Sequence, residues 1–208
     1  MKGRLITVEG GEGAGKTTVL NTIEACLRER GVDLLRTREP GGTELAEAIR
    51  ALMLDPRHRH MCAEAELLLV FAGRAQHVRE VIQPALAAGR WILSDRYVDA
   101  SYAYQGGGRG LDRDWIADLD RRTTLGIAPD LTLLLDLDPA IGRSRQQQRG
   151  PGDRIEREVD SFFERVRDAY LERAASHPQR YRVIDASAAP AQVAAAAWAE
   201  VERLCDGS

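Results

Sequence analysis

The stretch GGEGAGKTT, from Gly10 to Thr18, decides the fold of this 208-residue chain. Its glycines, lysine and threonine have the spacing G-x-x-x-x-G-K-[ST] of a phosphate-binding loop. Leu5 to Val8, just before it, predict a short buried strand. Val19 to Leu27 predict a helix, because their apolar residues recur at helical spacing. Strand, loop and helix in this order form the context in which the motif binds phosphate.

Each residue type in this loop has a chemical task. Glycines let successive backbone N–H groups turn toward a phosphate, and the following helix directs its positive end to the same point. Lys16 would reach the outer phosphates, and the Thr17 hydroxyl would bind Mg²⁺. The predicted nucleotide-binding residues are Gly10, Gly11, Glu12, Gly13, Ala14, Gly15, Lys16, Thr17 and Thr18. A glycine-rich turn with a chance lysine is the alternative, which the complete pattern disfavours.

The composition is that of an ordinary globular protein and excludes several classes. A net charge of −3 gives no support to a nucleic-acid coat protein or a polybasic membrane binder. Cys26, Cys62 and Cys205 are widely spaced and have no C-x-x-C pair, so we expect reduced thiols rather than disulfides or a zinc site. No long apolar run occurs, so we expect no signal peptide, no membrane span and a cytoplasmic protein.

Further strands and helices alternate along the chain. The predicted strands are Asp33 to Thr37, Trp91 to Ser94, Leu131 to Leu135 and Tyr181 to Ile184. The predicted helices run from a Thr43 cap to Leu54, from Ala63 to Ala88 with a break near Pro84, and from Ala191 to Leu204. This order predicts one α/β domain over residues 1–208, a three-layer α/β/α arrangement around a five-stranded parallel sheet. Ligands of such a sheet bind beyond the carboxyl ends of its strands.

Charged residues follow several of the predicted strands. Arg38 follows the second strand, Asp95 and Arg96 follow the third, and Asp136 follows the fourth. Asp95 is suited to orient Mg²⁺ or its water shell, while Arg38 and Arg96 are suited to an anionic acceptor. A helix N-cap is the equally weighted alternative for Asp95 taken alone.

Aromatic and amide side chains concentrate after the third strand. Tyr97, Ser101, Tyr102, Tyr104 and Gln105 lie there, in a chain with only 5% aromatic residues. Such side chains suit recognition of a nucleotide base. The glycine run that follows, from Gly106 to Gly110, is typical of a flexible turn.

Arginines form a cluster after the fourth strand, in the segment RSRQQQRGPGDR. Arg143, Arg145, Arg149 and Arg154 could form a solvated helix face, which is the usual meaning of such charges. The Gly150-Pro151-Gly152 hinge instead favours a lid, over residues 143–155, that closes on transferring phosphates. An acceptor that is itself a phosphate needs no strong base, because its oxygen is already anionic.

The segments EGGEGAGKTT, TREPGGT, FAGRAQH and DRYVDASYAYQGGGRG occur in this order, and with the lid they resemble bacterial thymidylate kinases over essentially the whole chain. The resemblance implies the nucleoside-monophosphate kinase fold of the P-loop NTPases with a short arginine-rich lid. It also implies direct in-line transfer of the γ-phosphoryl group of MgATP to dTMP, giving dTDP for dTTP synthesis, by a homodimer. No nucleic-acid or membrane partner is implied.

The same resemblance assigns residues to the acceptor site. Arg38 and Arg96 match residues that hold the acceptor phosphate, and Glu12 matches an acidic loop residue near the deoxyribose. Four positions match the base pocket: Phe71 as the aromatic that stacks on thymine, Arg74 as its hydrogen-bond partner, and Ser101 and Gln105 as further lining. Tyr104 matches the aromatic beside the sugar 2′ position. The alternatives are that Phe71 and Tyr104 are core residues and that Arg74 and Gln105 are surface residues.

The resemblance also assigns catalytic roles. Lys16, Arg96 and Asp95 are implied in catalysis. The loop carries no arginine among its variable positions, so the chain resembles the subclass whose transition-state arginine comes from the lid, with Arg149 in that role. Arg145 and Arg154 match lid residues at the donor nucleotide. Ser144 and Gln147 stand where relatives can carry further basic residues.

Two other functions remain open from the sequence. One is a kinase for another deoxynucleoside monophosphate, and the other is a nucleotide-binding regulator without turnover. The intact loop and lid arginines weigh against the regulator. A thymine methyl group contributes only about 1 to 3 kcal/mol over uracil, so we expect dUMP to be a poorer acceptor than dTMP.

Overall fold

The structure, a computed structural model, describes residues 2–147 and 152–206. The strands are Leu5–Gly10 (β1), Leu34–Arg38 (β2), Trp91–Asp95 (β3), Leu131–Asp136 (β4) and Tyr181–Asp185 (β5). The α-helices are Lys16–Glu29 (α1), Glu44–Leu54 (α2), Ala63–His77 (α3), Gln83–Ala87 (α4), Val98–Ser101 (α5), Arg113–Thr124 (α6), Pro139–Gln147 (α7), Asp160–Ser176 (α8) and Pro190–Asp206 (α9). Two π-helical segments, Val78–Ile82 and Tyr102–Gly108, and a 3₁₀ turn, Pro56–His58, complete the elements.

The five strands form one parallel sheet in the order β2-β3-β1-β4-β5. Val8 of β1 lies opposite Asp95 of β3 and Leu133 of β4. Arg38 of β2 lies opposite Asp95 as well. The register therefore brings the loop after β1 and the charged ends of β2 and β3 to one edge of the sheet.

Helices cover both faces of the sheet, which confirms the predicted three-layer α/β fold. Ile6 and Val8 share a buried cluster with residues of α1 and α9 on one face. Leu5 packs with Leu67 of α3 on the other face, where Leu134 contacts the α8 cluster. Because successive side chains of a strand alternate, Thr7 and Glu9 of β1 also lie on that second face, and both are fully buried.

The predicted elements are present with small shifts at their ends. Thr43 caps α2 as predicted, since its Oγ1 accepts a hydrogen bond of 3.2 Å from the Ala46 N–H. The helix predicted from Ala63 to Ala88 is divided by the π-helical turn Val78–Ile82, just before Pro84. Proline has no N–H to donate and its ring crowds the preceding turn, which accounts for a wider turn there.

The glycine run after Gln105 is helical, so the prediction of a flexible turn is wrong. Gly106, Gly107 and Gly108 end the segment Tyr102–Gly108, which packs on α8. A Cβ at Gly107 would lie 2.5 Å from that of Ala169, and one at Gly108 would lie 2.5 Å from the Phe162 ring. Close packing therefore requires glycine here.

The three cysteines are free thiols, as predicted, with Cys62 exposed. Across residues 2–147 and 152–206, no helix has the length and apolarity needed to cross a membrane.

Candidate active site at the carboxyl edge of the sheet

The loop between β1 and α1 has the backbone form that phosphate binding requires. Gly10, Gly13 and Gly15 have φ values of 137°, 71° and 89°, which other residues rarely adopt. Gly15 precedes α1 and offers no side chain to its first turn. The free N–H groups at this helix end are thus available to an anion, with the helix dipole favouring negative charge.

Lys16 is folded over this loop. Its Nζ donates to the carbonyl oxygens of Gly10 at 3.1 Å and Gly11 at 2.9 Å. Burial and the nearby charge of Arg96 lower the pKa of Lys16, although Glu12 partly opposes them. A buried ammonium held by two neutral carbonyls has an unmet need for negative charge, which phosphate would satisfy.

Asp95 has the free oxygen expected of a metal-binding carboxylate. Its Oδ1 is buried and has no hydrogen-bond partner among the described residues. The helix that follows begins after Tyr97, so Asp95 does not act as its N-cap. Within residues 2–147 and 152–206 no three His, Cys, Asp or Glu residues cluster at metal-binding distance. One carboxylate and the Thr17 hydroxyl fit Mg²⁺, which is usually held by few protein ligands, phosphates and water.

Arg96 links the phosphate loop to Tyr104 of the segment Tyr102–Gly108. Its Nη2 donates to Glu12 Oε1 at 2.6 Å and to the Tyr104 hydroxyl at 2.9 Å, and that hydroxyl donates to Glu12 at 3.0 Å. Burial would raise the pKa of Glu12, but the charges of Arg96 and Lys16 outweigh it and hold the pKa at about 2. Arg96 Nε is buried without a partner among the described residues, so the guanidinium still has a free donor.

Two further arginines lie near Arg96. Arg38 pairs with Glu47 at 2.7 Å and is half-exposed. Arg50 donates to the Pro40 carbonyl at 3.0 Å and lines the adjacent cavity. Burial, followed by the charges of Arg38 and Arg96, lowers the pKa of Arg50. Arg50 is not predictable from the sequence, because one arginine on an amphipathic helix gives no signal of its position in space.

A cavity beside Arg96 brings together most of the residues predicted for the base and sugar. It lies between α2, α3, the segment Tyr102–Gly108 and residues 153–156. The predicted residues that line it are Glu12, Arg74, Arg96, Ser101, Tyr104 and Gln105. Met53 and Leu54 add apolar walls.

Phe71, predicted to stack on the base, is not among the side chains that line this cavity. It is 2% exposed in the core cluster under α3, and the Arg74 guanidinium lies 4.6 Å from its ring centroid. Val70 lines the cavity instead. Residues three and four apart share a helix face, so Phe71 and Val70 both lie beside Arg74, with the Phe71 ring under its guanidinium.

Arg74 is held by a buried network. It donates to Glu39 at 2.6 Å, to Ser101 Oγ at 3.0 Å and to the Tyr97 carbonyl at 3.2 Å. His77 also contacts Glu39, at 3.0 Å. These partners fix the guanidinium at the cavity wall. Glu39 was not predicted from the sequence to be part of the site.

The lid arginines have different surroundings. Arg145 Nη1 donates at 3.3 Å to the carbonyls of Gly13 and Ala186, which places it against the phosphate loop. Arg154 is buried and donates to Glu66 at 2.6 Å and to the Met53 carbonyl at 2.7 Å. Its predicted role at the donor nucleotide is therefore not supported, because its charge is neutralised behind the base cavity. Arg149 lies outside the described residues.

Helix α7 meets the loop through two glycines. A Cβ at Gly13 would lie 2.3 Å from the Gly142 carbonyl oxygen, and one at Gly142 would lie 2.3 Å from that of Glu12. Glycine at both positions lets the helix that carries Arg145 touch the loop directly.

Comparison with known proteins identifies relatives of this chain. The thymidylate kinase family pattern matches residues 8–197. A thymidylate kinase of Halorhodospira halophila is 57% identical over 93% of this chain and 91% of its own length. A thymidylate kinase of Ectopseudomonas mendocina is 55% identical over 94% of this chain and 93% of its own length. A crystal structure of thymidylate kinase from Ehrlichia chaffeensis has 29% identity and a TM-score of 0.76 over 99% of both chains.

Proposed function

Since the chain belongs to the thymidylate kinase family and phosphorylates dTMP, we propose that MgATP is the donor and that transfer occurs where the phosphate loop meets the base cavity. One observation carries the proposal. Glu12 belongs to the loop, lines the cavity and accepts from Arg96 at 2.6 Å. Donor and acceptor phosphates bound in these two places would lie side by side.

The donor side is the phosphate loop. Its backbone N–H groups and Lys16 bind the outer phosphates of ATP, and Arg145 adds positive charge from α7. Thr17 and Asp95 would hold Mg²⁺, which supplies further neutralising charge when bound. Arg149 is proposed as the lid arginine that stabilises charge in the transition state.

The acceptor side is the cavity. Arg96, Arg38 and Arg50 hold the dTMP phosphate, because three arginines that lie close together favour a dianion between them. Arg74, Ser101 and Gln105 bind the base, Val70 adds an apolar wall, and Tyr104 lies at the sugar.

The chemistry is then in-line transfer. An oxygen of the dTMP phosphate forms a bond to the γ-phosphorus while the bond from that phosphorus to the β–γ bridging oxygen breaks, which gives dTDP and ADP. The acceptor oxygen is already anionic, so this chain needs no general base. Its residues contribute by positioning two anions and stabilising the charge between them.

The experiment is ADP release from MgATP with dTMP, dUMP, UMP, dCMP, dGMP and AMP as acceptors. We expect strong turnover with dTMP and weaker turnover with dUMP. Lys16→Met, which keeps the side-chain length without the charge, is the control for contaminating kinases and should lose at least about 100-fold. Preference for another acceptor would overturn the cavity assignment, and absence of turnover would favour a regulator.

We also propose a homodimer formed through α2 and α3. Leu45 and Leu52 on α2 and Leu68 on α3 are 53%, 43% and 51% exposed on helices that pack together. Large apolar side chains grouped on a surface mark an interface. Leu52→Glu should convert the dimer to monomer in sedimentation experiments. Val183→Glu, at an equally exposed valine of the edge strand β5, should not.

A further inference from the structure

Glu66 on α3 is a fully buried carboxylate that the proposed chemistry does not use. Its relative exposure is 0%. Oε1 accepts from Gln105 Nε2 at 2.8 Å and Arg109 Nε at 3.3 Å. Oε2 accepts from Arg109 Nη2 at 2.9 Å and Arg154 Nη2 at 2.6 Å. Two arginines thus neutralise the charge of Glu66, and the neutral amide of Gln105 also donates a hydrogen bond to it.

The two arginines keep Glu66 ionised. Burial alone would raise the pKa of Glu66, but hydrogen bonds and charge from Arg109, with bonds from Gln105 and Arg154, more than offset it and lower the pKa. An ionised carboxylate accepts hydrogen bonds and cannot donate one.

This property decides the orientation of the Gln105 amide. Amide nitrogen and oxygen have nearly the same shape, so the partner determines which one faces it. Because Glu66 only accepts, the NH₂ group of Gln105 must face it. Gln105 also lines the base cavity, so its carbonyl oxygen is the end available to a bound base.

We propose that Glu66 is a positioning residue for base selection, because it makes Gln105 present a hydrogen-bond acceptor to the cavity. Such an acceptor favours a pyrimidine with an N3–H donor, as in thymine and uracil, and disfavours cytosine, whose N3 is an acceptor. The inference rests on the proposed function, in which the acceptor base occupies this cavity.

The test is the ratio of two dissociation constants, those of 5-methyl-dCMP and dTMP, measured by calorimetry. The two nucleotides share the sugar, phosphate and methyl group and differ only at N3 and the 4-position. In Glu66→Gln, the new amide can face Gln105 with either oxygen or nitrogen, so Gln105 is free to turn over. We expect the ratio to fall at least tenfold from that of the unmodified protein. A ratio within twofold of the original in folded Glu66→Gln would overturn the inference.

Asp99→Asn is the matched control. Asp99 is also 0% exposed and paired with two arginines, Arg173 and Arg180, but it does not line the cavity. We expect Asp99→Asn to be less stable than the unmodified protein but to have the same ratio of dissociation constants. An equal fall in both variants would indicate general loosening and would overturn the role of Glu66.

Glu66→Asp serves if Glu66→Gln does not fold, because it keeps the charge for both arginines but shortens the reach to Gln105. We expect its ratio to fall at least threefold, and an unchanged ratio would overturn the inference. Failure of the proposed function, in which the base occupies this cavity, is distinguished by Arg74→Ala in the cavity wall, which would then leave the dissociation constant of dTMP unchanged.

Discussion

Arg96 donates a hydrogen bond of 2.6 Å to Glu12, and this contact joins the end of β3 to the phosphate loop. Arg96 has a φ of 66°, in the left-handed region that costs a non-glycine residue on the order of 1 kcal/mol. Its bonds to Glu12 and Tyr104 hold it there. Strain that is retained in this way is typical of functional sites, where it fixes a side chain in advance.

Arg96→Lys should lower kcat/KM for dTMP by about 100-fold, because a lysine lacks the planar fork that binds a phosphate through two hydrogen bonds. Steady-state kinetics with varied dTMP would measure it. Arg36→Lys is the control, since Arg36 pairs with Glu24 outside the cavity and should retain full activity. Equal losses in both variants would contradict a special role for Arg96.

Tyr104→Ala should reduce the preference for dTMP over the ribose form, ribothymidine 5′-phosphate, by about tenfold, because a smaller side chain leaves room for a 2′-hydroxyl. The kcat/KM ratio of the two acceptors is the measurement. Tyr102→Ala is the control in the same helical segment, since the Tyr102 hydroxyl faces Asp120 and its ring contacts Arg173 outside the cavity. An unchanged ratio in Tyr104→Ala would separate Tyr104 from the sugar.

Asp95→Asn should raise the Mg²⁺ concentration needed for half-maximal activity by at least about tenfold, because the amide removes a negative ligand. Titration of activity with Mg²⁺ at fixed ATP would measure the shift. Asp136→Asn is the control, since both Asp136 oxygens accept from Arg167 at 2.7 and 2.9 Å and are not available to a metal. If the two variants had the same Mg²⁺ requirement, Asp95 would have no specific part in metal binding.

The strands and the edge that holds the site were predictable because their signals are local. Buried parallel strands appear as apolar runs, and the rule that ligands bind beyond their carboxyl ends selected Arg38, Asp95 and Arg96. The order of the strands was not predicted, since pairing depends on contacts between distant parts of the chain. The same limit hid Arg50 and Glu66, which reach their partners only after folding.

The positions of Phe71 and Arg154 depend on geometry that the sequence does not show. Phe71 and Val70 are adjacent in sequence but differ by about 100° around a helix, and the neighbouring elements decide which one reaches the cavity. The surroundings of Arg154 likewise depend on Glu66, which is far away in sequence and whose buried charge requires a cation. The glycine run was mistaken for a turn because sequence does not show that Ala169 and Phe162 would pack on it.

Gly73→Ala should stabilise the protein by about 1 kcal/mol, because alanine is the better helix former in the interior of α3. Its Cβ would lie 3.6 Å from that of Ala46, an ordinary contact. Gly107→Ala should destabilise by about 1 to 3 kcal/mol, since its Cβ would lie 2.5 Å from that of Ala169. Urea unfolding of both variants would measure these changes. Destabilisation by Gly73→Ala would contradict the packing described for α3.

Glu9 gives the protein a specific pH dependence. It is fully buried at the end of β1 and accepts at 2.7 Å from both the Tyr97 N–H and the Tyr170 hydroxyl. Burial, followed by the charge of Asp99, raises the pKa of Glu9 from 4.5 to about 8. The folded state therefore holds this proton more tightly than the unfolded state. The contribution of Glu9 to stability is present in full below pH 4.5 and is lost as pH rises toward 8.

Glu9→Gln resembles the protonated carboxyl and cannot ionise, so its stability relative to the unmodified protein should grow between pH 5 and 8, by up to about 1.4 kcal/mol per pH unit. Urea unfolding of both proteins at several pH values in this interval measures the difference between their free energies of unfolding. Groups that titrate in the same way in both proteins do not contribute to this difference. Glu29→Gln, at an exposed position of α1, should show no such trend. A constant difference between Glu9→Gln and the unmodified protein would mean that Glu9 is already ionised at pH 5 in the folded state, and that Tyr97 and Tyr170 stabilise its charge more than burial opposes it.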